Sequence, residues 1–120
     1  MTARLDITLD CHQPEPLAEF WAAALDYENA GRHGEFWPLF PRDDARPIIV
    51  LQQVDEPRTG KNRMHLDLHV DDLDGEVARL VALGARRLSA TPVEGHGHTW
   101  VVMADPEGNE FCVVQAPGPG

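Results

Sequence analysis

Two cysteines in 120 residues are too few for a disulfide scaffold, and Cys11 and Cys112 read as free thiols. Cationic side chains are also scarce. Ten Lys and Arg against twenty Asp and Glu leave a formal charge of −10. The ten are scattered rather than clustered, which opposes nucleic acid as a partner, because neutralising phosphates requires a basic patch. No apolar run approaches the ~20 residues of a membrane helix. The start, Met1-Thr2-Ala3-Arg4, leads straight into alternating residues without the basic start and apolar stretch of a secretion signal, so a cytoplasmic protein is expected. What remains is an ordinary globular composition, 42% hydrophobic and 25% charged, of a length that fits one domain. Small molecules or proteins are the partners left to consider.

The chain repeats itself. In Leu5-Asp6-Ile7-Thr8-Leu9-Asp10-Cys11 the apolar residues occupy odd positions, and in Met64-His65-Leu66-Asp67-Leu68-His69-Val70 the even ones. Both are the period-2 pattern of a strand with one face on a core. The two segments align with Asp6 opposite His65, Thr8 opposite Asp67 and Asp10 opposite His69. A helix follows each. The first is predicted to start near Pro16 and to carry Leu17, Phe20, Trp21, Ala24 and Leu25 on one stripe. The second follows Asp71-Asp72 and carries Leu73, Val77, Leu80 and Val81, with Gly84 as a left-handed cap. The acidic run at its start is expected to cap it. Strands are predicted over about 35–40, 47–54, 98–104 and 110–115, with weaker ones near 27–31 and 86–89. Asp105-Pro106-Glu107-Gly108-Asn109 has the composition of a tight reversal.

The order is β-α-β-β-β, twice. The predicted fold is therefore α+β: two tandem βαβββ modules, about 4–56 and 63–116, joined by a surface linker at 57–62 and followed by a frayed tail at 117–120. The modules are expected to form a curved mixed sheet around a cleft, with helices on the outer face and Leu5, Ile7, Leu9, Leu66, Leu68 and Val70 beneath them. The opposite strand faces then line the cleft.

Several residues on those faces admit both functional and structural roles. His65, Asp67 and His69 form either a polar cleft wall, with His65 as metal ligand or general base, or a solvated strand face. Steps of about 7 Å along a strand require donors from other strands to complete any metal site. Cys112 is either a nucleophile activated by His65 or a small buried residue in a core strand. Cys11, on the helix-facing side, is expected not to pair with it. Gly95-His96-Gly97-His98 is either a lid presenting imidazoles or a glycine-permitted close approach to the next strand. Of Trp37 and Trp100, one is expected in the core and one in the cleft, Trp100 being favoured for the cleft; Trp21 belongs to the helix stripe.

Four segments carry a resemblance to a known family: Phe20-Trp21-Ala22-Ala23-Ala24-Leu25, Gly60-Lys61-Asn62-Arg63-Met64-His65-Leu66-Asp67-Leu68, Val81-Ala82-Leu83-Gly84-Ala85 and Asp105-Pro106-Glu107-Gly108-Asn109-Glu110-Phe111. In this order they resemble glyoxalase-like domains of the vicinal oxygen chelate superfamily. That scaffold hosts many chemistries, among them glyoxalase I lyases, extradiol dioxygenases, fosfomycin-modifying transferases, epimerases and antibiotic-binding proteins. The resemblance implies a homodimer and a small-molecule cleft lined by Asp6, Thr8, Gln52, His65, Asp67, His69, Trp100 and Cys112, with His65 and Cys112 as the catalytic candidates. It also implies a divalent metal (Zn, Ni, Mn or Fe) at Asp6, Gln52, His65 and Cys112, with Gln53 the alternative to Gln52. Cys112 stands where the family commonly has a Glu, and Gln52 is neutral, which weakens that ligand field.

Three functions follow. The first is a small-molecule binder, or an enzyme, with a non-standard or absent metal site. The second is a divalent-metal lyase or dioxygenase in which the cation acts as Lewis acid. The third is a bleomycin-resistance-like protein that sequesters a cationic compound in an acidic groove.

Overall fold

The structure, a computed structural model, describes residues 5–43, 45–55, 60, 64–95 and 97–116. The expected linker at 57–62 (Gly60 excepted), the tail at 117–120 and His96 lie outside the described residues. Two compact units, Met1–Arg58 and Thr59–Gly120, divide the chain.

Unit one begins with β1 (Asp6–Cys11), the first of the alternating segments. Its helix α1 (Pro14–Leu25) opens two residues before the predicted start, because Pro14 and Pro16 both fit a first turn whose N–H groups have no helical partner. Three strands follow, β2 (Tyr27–Asn29), β3 (Phe36–Pro41) and β4 (Ile48–Gln53). They assemble in the order β1-β4-β3-β2, with β1 and β4 parallel and the other pairs antiparallel. The α1 stripe of Leu17, Ala18, Phe20, Trp21 and Ala24 is buried, as are Cys11, Tyr27, Leu39, Ile49 and Leu51 from the sheet. Phe20 and Trp21 meet edge to face with ring centroids 5.0 Å apart. Leu5 departs from its expected place beneath the helix: it precedes β1 and is 69% exposed.

Unit two repeats the plan with β5 (Leu66–Val70), α2 (Leu73–Leu83), β6 (Arg86–Arg87), β7 (Val93–Gly95), β8 (His98–Ala104) and β9 (Glu110–Gln115). The sheet runs β5-β9-β8-β6, with β5 parallel to β9, and β7 pairs with the other end of β8. Asp72 caps α2 by accepting from the Gly75 amide at 3.1 Å, and Gln115 accepts from the Leu73 amide at 3.0 Å, so two of the four orphan N–H groups are satisfied by side chains. Gly84 closes the helix at φ 119°, a left-handed conformation that a side chain would strain. Leu73, Val77 and Leu80 are buried, as are Val101, Met103, Phe111 and Val113 on the helix-facing side of the sheet.

The weak strand expected over 86–89 pairs only at Arg86 and Arg87. Beyond them the Ser89 hydroxyl accepts from the Val102 amide at 3.0 Å, taking over a ladder bond from the backbone. The β8–β9 turn is held by Asp105, which is fully buried and whose Oδ1 accepts from the amides of Glu107 and Asn109, both at 2.9 Å. Among the described residues no helix is long and apolar enough to cross a membrane.

Candidate functional site

Strand register decides which side chains of unit two become neighbours. Across the parallel pair Asp67 stands beside Cys112 and His69 beside Val114; across the antiparallel pair Val102 stands beside Cys112 and Trp100 beside Val114. Partners in a ladder share a face. Asp67, Cys112 and Val102 therefore form one row, and His69, Val114 and Trp100 the next, on the face opposite the α2-facing residues Val101, Met103, Phe111 and Val113. This open face lines a cavity of about 510 Å³, bordered by His65, His98 and Glu110 in addition to the two rows.

Its apolar part is Trp100, Val102 and Val114. The polar groups gather at the β5 side. His65 Nδ1 lies 2.9 Å from Asp67 Oδ1, and one donor atom from each of His65, Asp67 and Cys112 falls within 4.8 Å of the others. Regular strand spacing predicts residues two apart to stand about 7 Å from each other. That spacing is between Cα atoms, and the His65 side chain, from the residue just before β5, reaches the Asp67 carboxylate across it. His65 and Asp67 are 41% and 46% exposed, so ligands and solvent reach both. Nδ1 is the ring nitrogen that contacts the carboxylate, so Nε2 is the one left to meet a ligand.

The hairpin between β7 and β8 makes one wall. Gly97 takes φ 77° in its turn, and a Cβ built on Gly95 would lie 3.3 Å from Cη2 of Trp100. The glycine-rich run thus permits a close approach, as one of its two readings had it, and His98 still lines the cavity. Trp37 belongs to β3 in unit one, where its Nε1 donates to Asn29 and the Arg32 guanidinium sits 5.6 Å from its ring centre. Trp21 is core, 2% exposed. Both cysteines are free thiols, Cys11 buried and Cys112 half-buried.

Unit one holds the remaining candidates, Asp6, Thr8 and Gln52. In the β1–β4 register Asp6 pairs with Ile48, Thr8 with Val50 and Asp10 with Gln52. Gln52 is therefore four residues beyond the partner of Asp6, roughly 13 Å at the rise of a strand. The position that matches Cys112 in the repeat is Val50, since Thr8 pairs with Val50 as Asp67 pairs with Cys112. Valine offers no donor atom. Gln53, the one-residue alternative, is engaged elsewhere, its amide donating to the His12 carbonyl at 3.2 Å and its oxygen accepting from Arg32 at 3.2 Å. Within unit one the register does not set Asp6 and Gln52 side by side. Glu110, Val102 and Val114 are cavity residues that the sequence reading did not single out. Their parity with Cys112 and Trp100 in the alternating strands was the available signal.

A β-α-β-β-β unit and a second unit of the same plan with one added short strand, β7, each with a helix on one sheet face, fit the architecture of the vicinal oxygen chelate superfamily. A family model for the glyoxalase-like domain matches residues 6–114, and the chain belongs to that family. Among solved structures it is similar to a glyoxalase/bleomycin resistance protein/dioxygenase family enzyme from Burkholderia phytofirmans PsJN, at 20% identity and a TM-score of 0.76, covering 94% of this chain and 100% of that one. It is also similar to the fosfomycin resistance protein FosX from Mesorhizobium loti, at 13% identity and a TM-score of 0.72 over 98% of this chain and 94% of that one. A third likeness is to TioX from Micromonospora sp. ML1, at 16% identity and a TM-score of 0.64 over 95% and 98%. These identities speak for the shared fold. No curated protein matches the chain.

Proposed function

We propose that the protein binds a small ring-bearing organic molecule on the open face of the unit-two sheet. Its apolar body lies against Trp100, Val102 and Val114, and its polar head points to His65 and Asp67. The observation that carries this reading is the cavity of about 510 Å³ with that division of its lining. Small-molecule sites commonly measure about 300–1,000 Å³ and combine apolar walls with a few convergent polar groups. The likeness to a fosfomycin resistance protein and to a glyoxalase/bleomycin resistance protein/dioxygenase family enzyme agrees with a small-molecule role.

The chemistry the site supports is acid–base. A hydroxyl or acidic C–H placed at Nε2 of His65 meets a base whose ring is held by Asp67. Cys112, beside Asp67 in the ladder, lies against the same bound head group.

The test is a thermal-shift and calorimetric screen of ring-bearing acids and diols, such as salicylate and catechol, on the full chain. Binders are expected to lose about tenfold in affinity, about 1.4 kcal/mol, in Trp100→Ala and in His65→Ala. Binders that tolerate both substitutions would place the ligand elsewhere and overturn the reading.

A further inference from the structure

We infer that unit one carries a second ligand site, for a free aliphatic α-amino acid, in the cavity where the β3–β4 loop meets the end of α1. It shares no residue with the unit-two cavity and goes beyond the function proposed there.

Three observations carry it. The cavity measures about 550 Å³, a small-molecule volume, and Leu5, Phe40, Pro47 and Ile48 give it apolar walls. Leu5 and Phe40 are 69% and 40% exposed, so two large apolar side chains left in solvent meet at this one place. Among the described residues the charged groups of the lining are Arg46 and Asp43, one of each sign. Second, the Arg46 guanidinium is held without being satisfied. Its Nη1 donates to the Leu25 carbonyl at the end of α1 at 2.7 Å, and its central carbon sits 4.8 Å from the centre of the Tyr27 ring. Nε is buried and has no hydrogen-bond partner among the described residues; Oδ2 of Asp43 lies 3.6 Å from it, beyond hydrogen-bond reach. Buried donors normally find acceptors, and a guanidinium has five N–H groups to place. Third, Asp43 is fixed through its other oxygen. Oδ1 accepts from the Ala45 amide at 3.0 Å, which leaves Oδ2 turned to Arg46.

The charge pattern selects the ligand. A plain carboxylate would meet Asp43 and a net charge of −10, and a plain amine would meet Arg46. A zwitterion answers both: its carboxylate accepts from the guanidinium and its ammonium donates to Oδ2 of Asp43, as charge-assisted hydrogen bonds. In an α-amino acid one carbon separates the two groups, which suits protein charges 3.6 Å apart. The side chain then lies on Leu5, Phe40 and Ile48, so a leucine-like chain is favoured over a polar one. Because Arg46 is braced against Tyr27 and Asp43 is held in its turn before the ligand arrives, little ordering remains for binding to supply.

The experiment is calorimetry and backbone amide NMR of the full chain with L-leucine, whose lack of a ring separates it from the ligands proposed for unit two. Saturable binding is expected, with the largest shifts at Asp43, Ala45, Arg46 and Ile48. 4-Methylpentanoate and isoamylamine, which each lack one charged group, should bind about tenfold more weakly or worse, and so should glycine, which lacks the side chain. Asp43→Asn keeps an acceptor for the Ala45 amide but removes the charge. It should cost L-leucine about tenfold while leaving 4-methylpentanoate no weaker. Arg46→Lys keeps the charge and loses the planar fork, and should also cost about tenfold. Trp100→Ala should leave L-leucine binding within about twofold, which keeps the two sites apart. The shifts and the analogue series are read on the unaltered chain, so they hold even where a variant fails to fold. No saturable binding of L-leucine, analogues that bind as tightly as L-leucine, or shifts confined to residues outside 40–48 would overturn the inference.

Discussion

Asp67 stands directly beside Cys112 across the parallel β5–β9 pair, and the same carboxylate lies 2.9 Å from Nδ1 of His65. Asp67 is thus the residue through which an imidazole and a thiol from distant parts of unit two are brought to one place. Asp67→Asn keeps the shape but replaces a charged acceptor with a neutral amide. Affinity for a head group that engages His65 should fall about tenfold, with the denaturation midpoint nearly unchanged, because the pair is half-exposed and such pairs add little to stability. Calorimetry alongside urea denaturation separates the two effects.

Gly95 controls how closely β7 approaches Trp100. A methyl group there meets the indole at 3.3 Å, so Gly95→Ala should shift the ring by a few tenths of an ångström. The stability change should stay within about 1 kcal/mol, since tightened packing opposes the gain from a less flexible unfolded chain. Ligand affinity should change more than stability. Parallel melting and binding curves decide it, and a loss of stability without a change in binding counts against Trp100 as a pocket wall.

Asp105 is fully buried and accepts hydrogen bonds from the amides of Glu107 and Asn109 and from the Asn109 side chain. Asp105→Ala leaves those donors unsatisfied in the turn that delivers Glu110 and Cys112 to the site. A loss of about 2–4 kcal/mol is expected by urea denaturation. Asp105→Asn, which keeps an acceptor oxygen, should lose less.

The Tyr27 hydroxyl donates to the Pro47 carbonyl at 2.8 Å, and burial pushes its pKa up from the ordinary 10.0, with Arg46 opposing and Asp43 reinforcing the shift. A phenol that holds its proton more tightly when folded contributes stability that is complete below pH 10 and declines as pH rises through the folded value. Tyr27→Phe should cost about 1 kcal/mol at neutral pH and flatten this alkaline decline. Denaturation at pH 8 and pH 11 compares the two slopes.

The repeated alternation at 5–11 and 64–70 and the two helix stripes made the β-α-β-β-β order legible, because period 2 and period 3.6 follow directly from backbone geometry. Strand β7 was not legible: Val93-Glu94-Gly95 is too short to show a period. The Gln52 assignment shows a deeper limit. A slip of two residues leaves a side chain on the same face of its sheet, so alternation cannot detect it, and only pairing with β1 reveals that Val50 holds the position matching Cys112. The approach of His65 to Asp67 was missed because strand spacing separates Cα atoms, a gap that two long side chains can bridge.

The central claim is that small molecules bind on the open face of β5, β9 and β8. It is tested most directly by backbone amide NMR of the full chain during titration with the ring-bearing acids and diols that stabilise it. The largest shifts are predicted at Asp67, Trp100 and Cys112, with Cys11 and the α1 residues undisturbed. Shifts confined to other surfaces, or no binder among the compounds, would contradict the account.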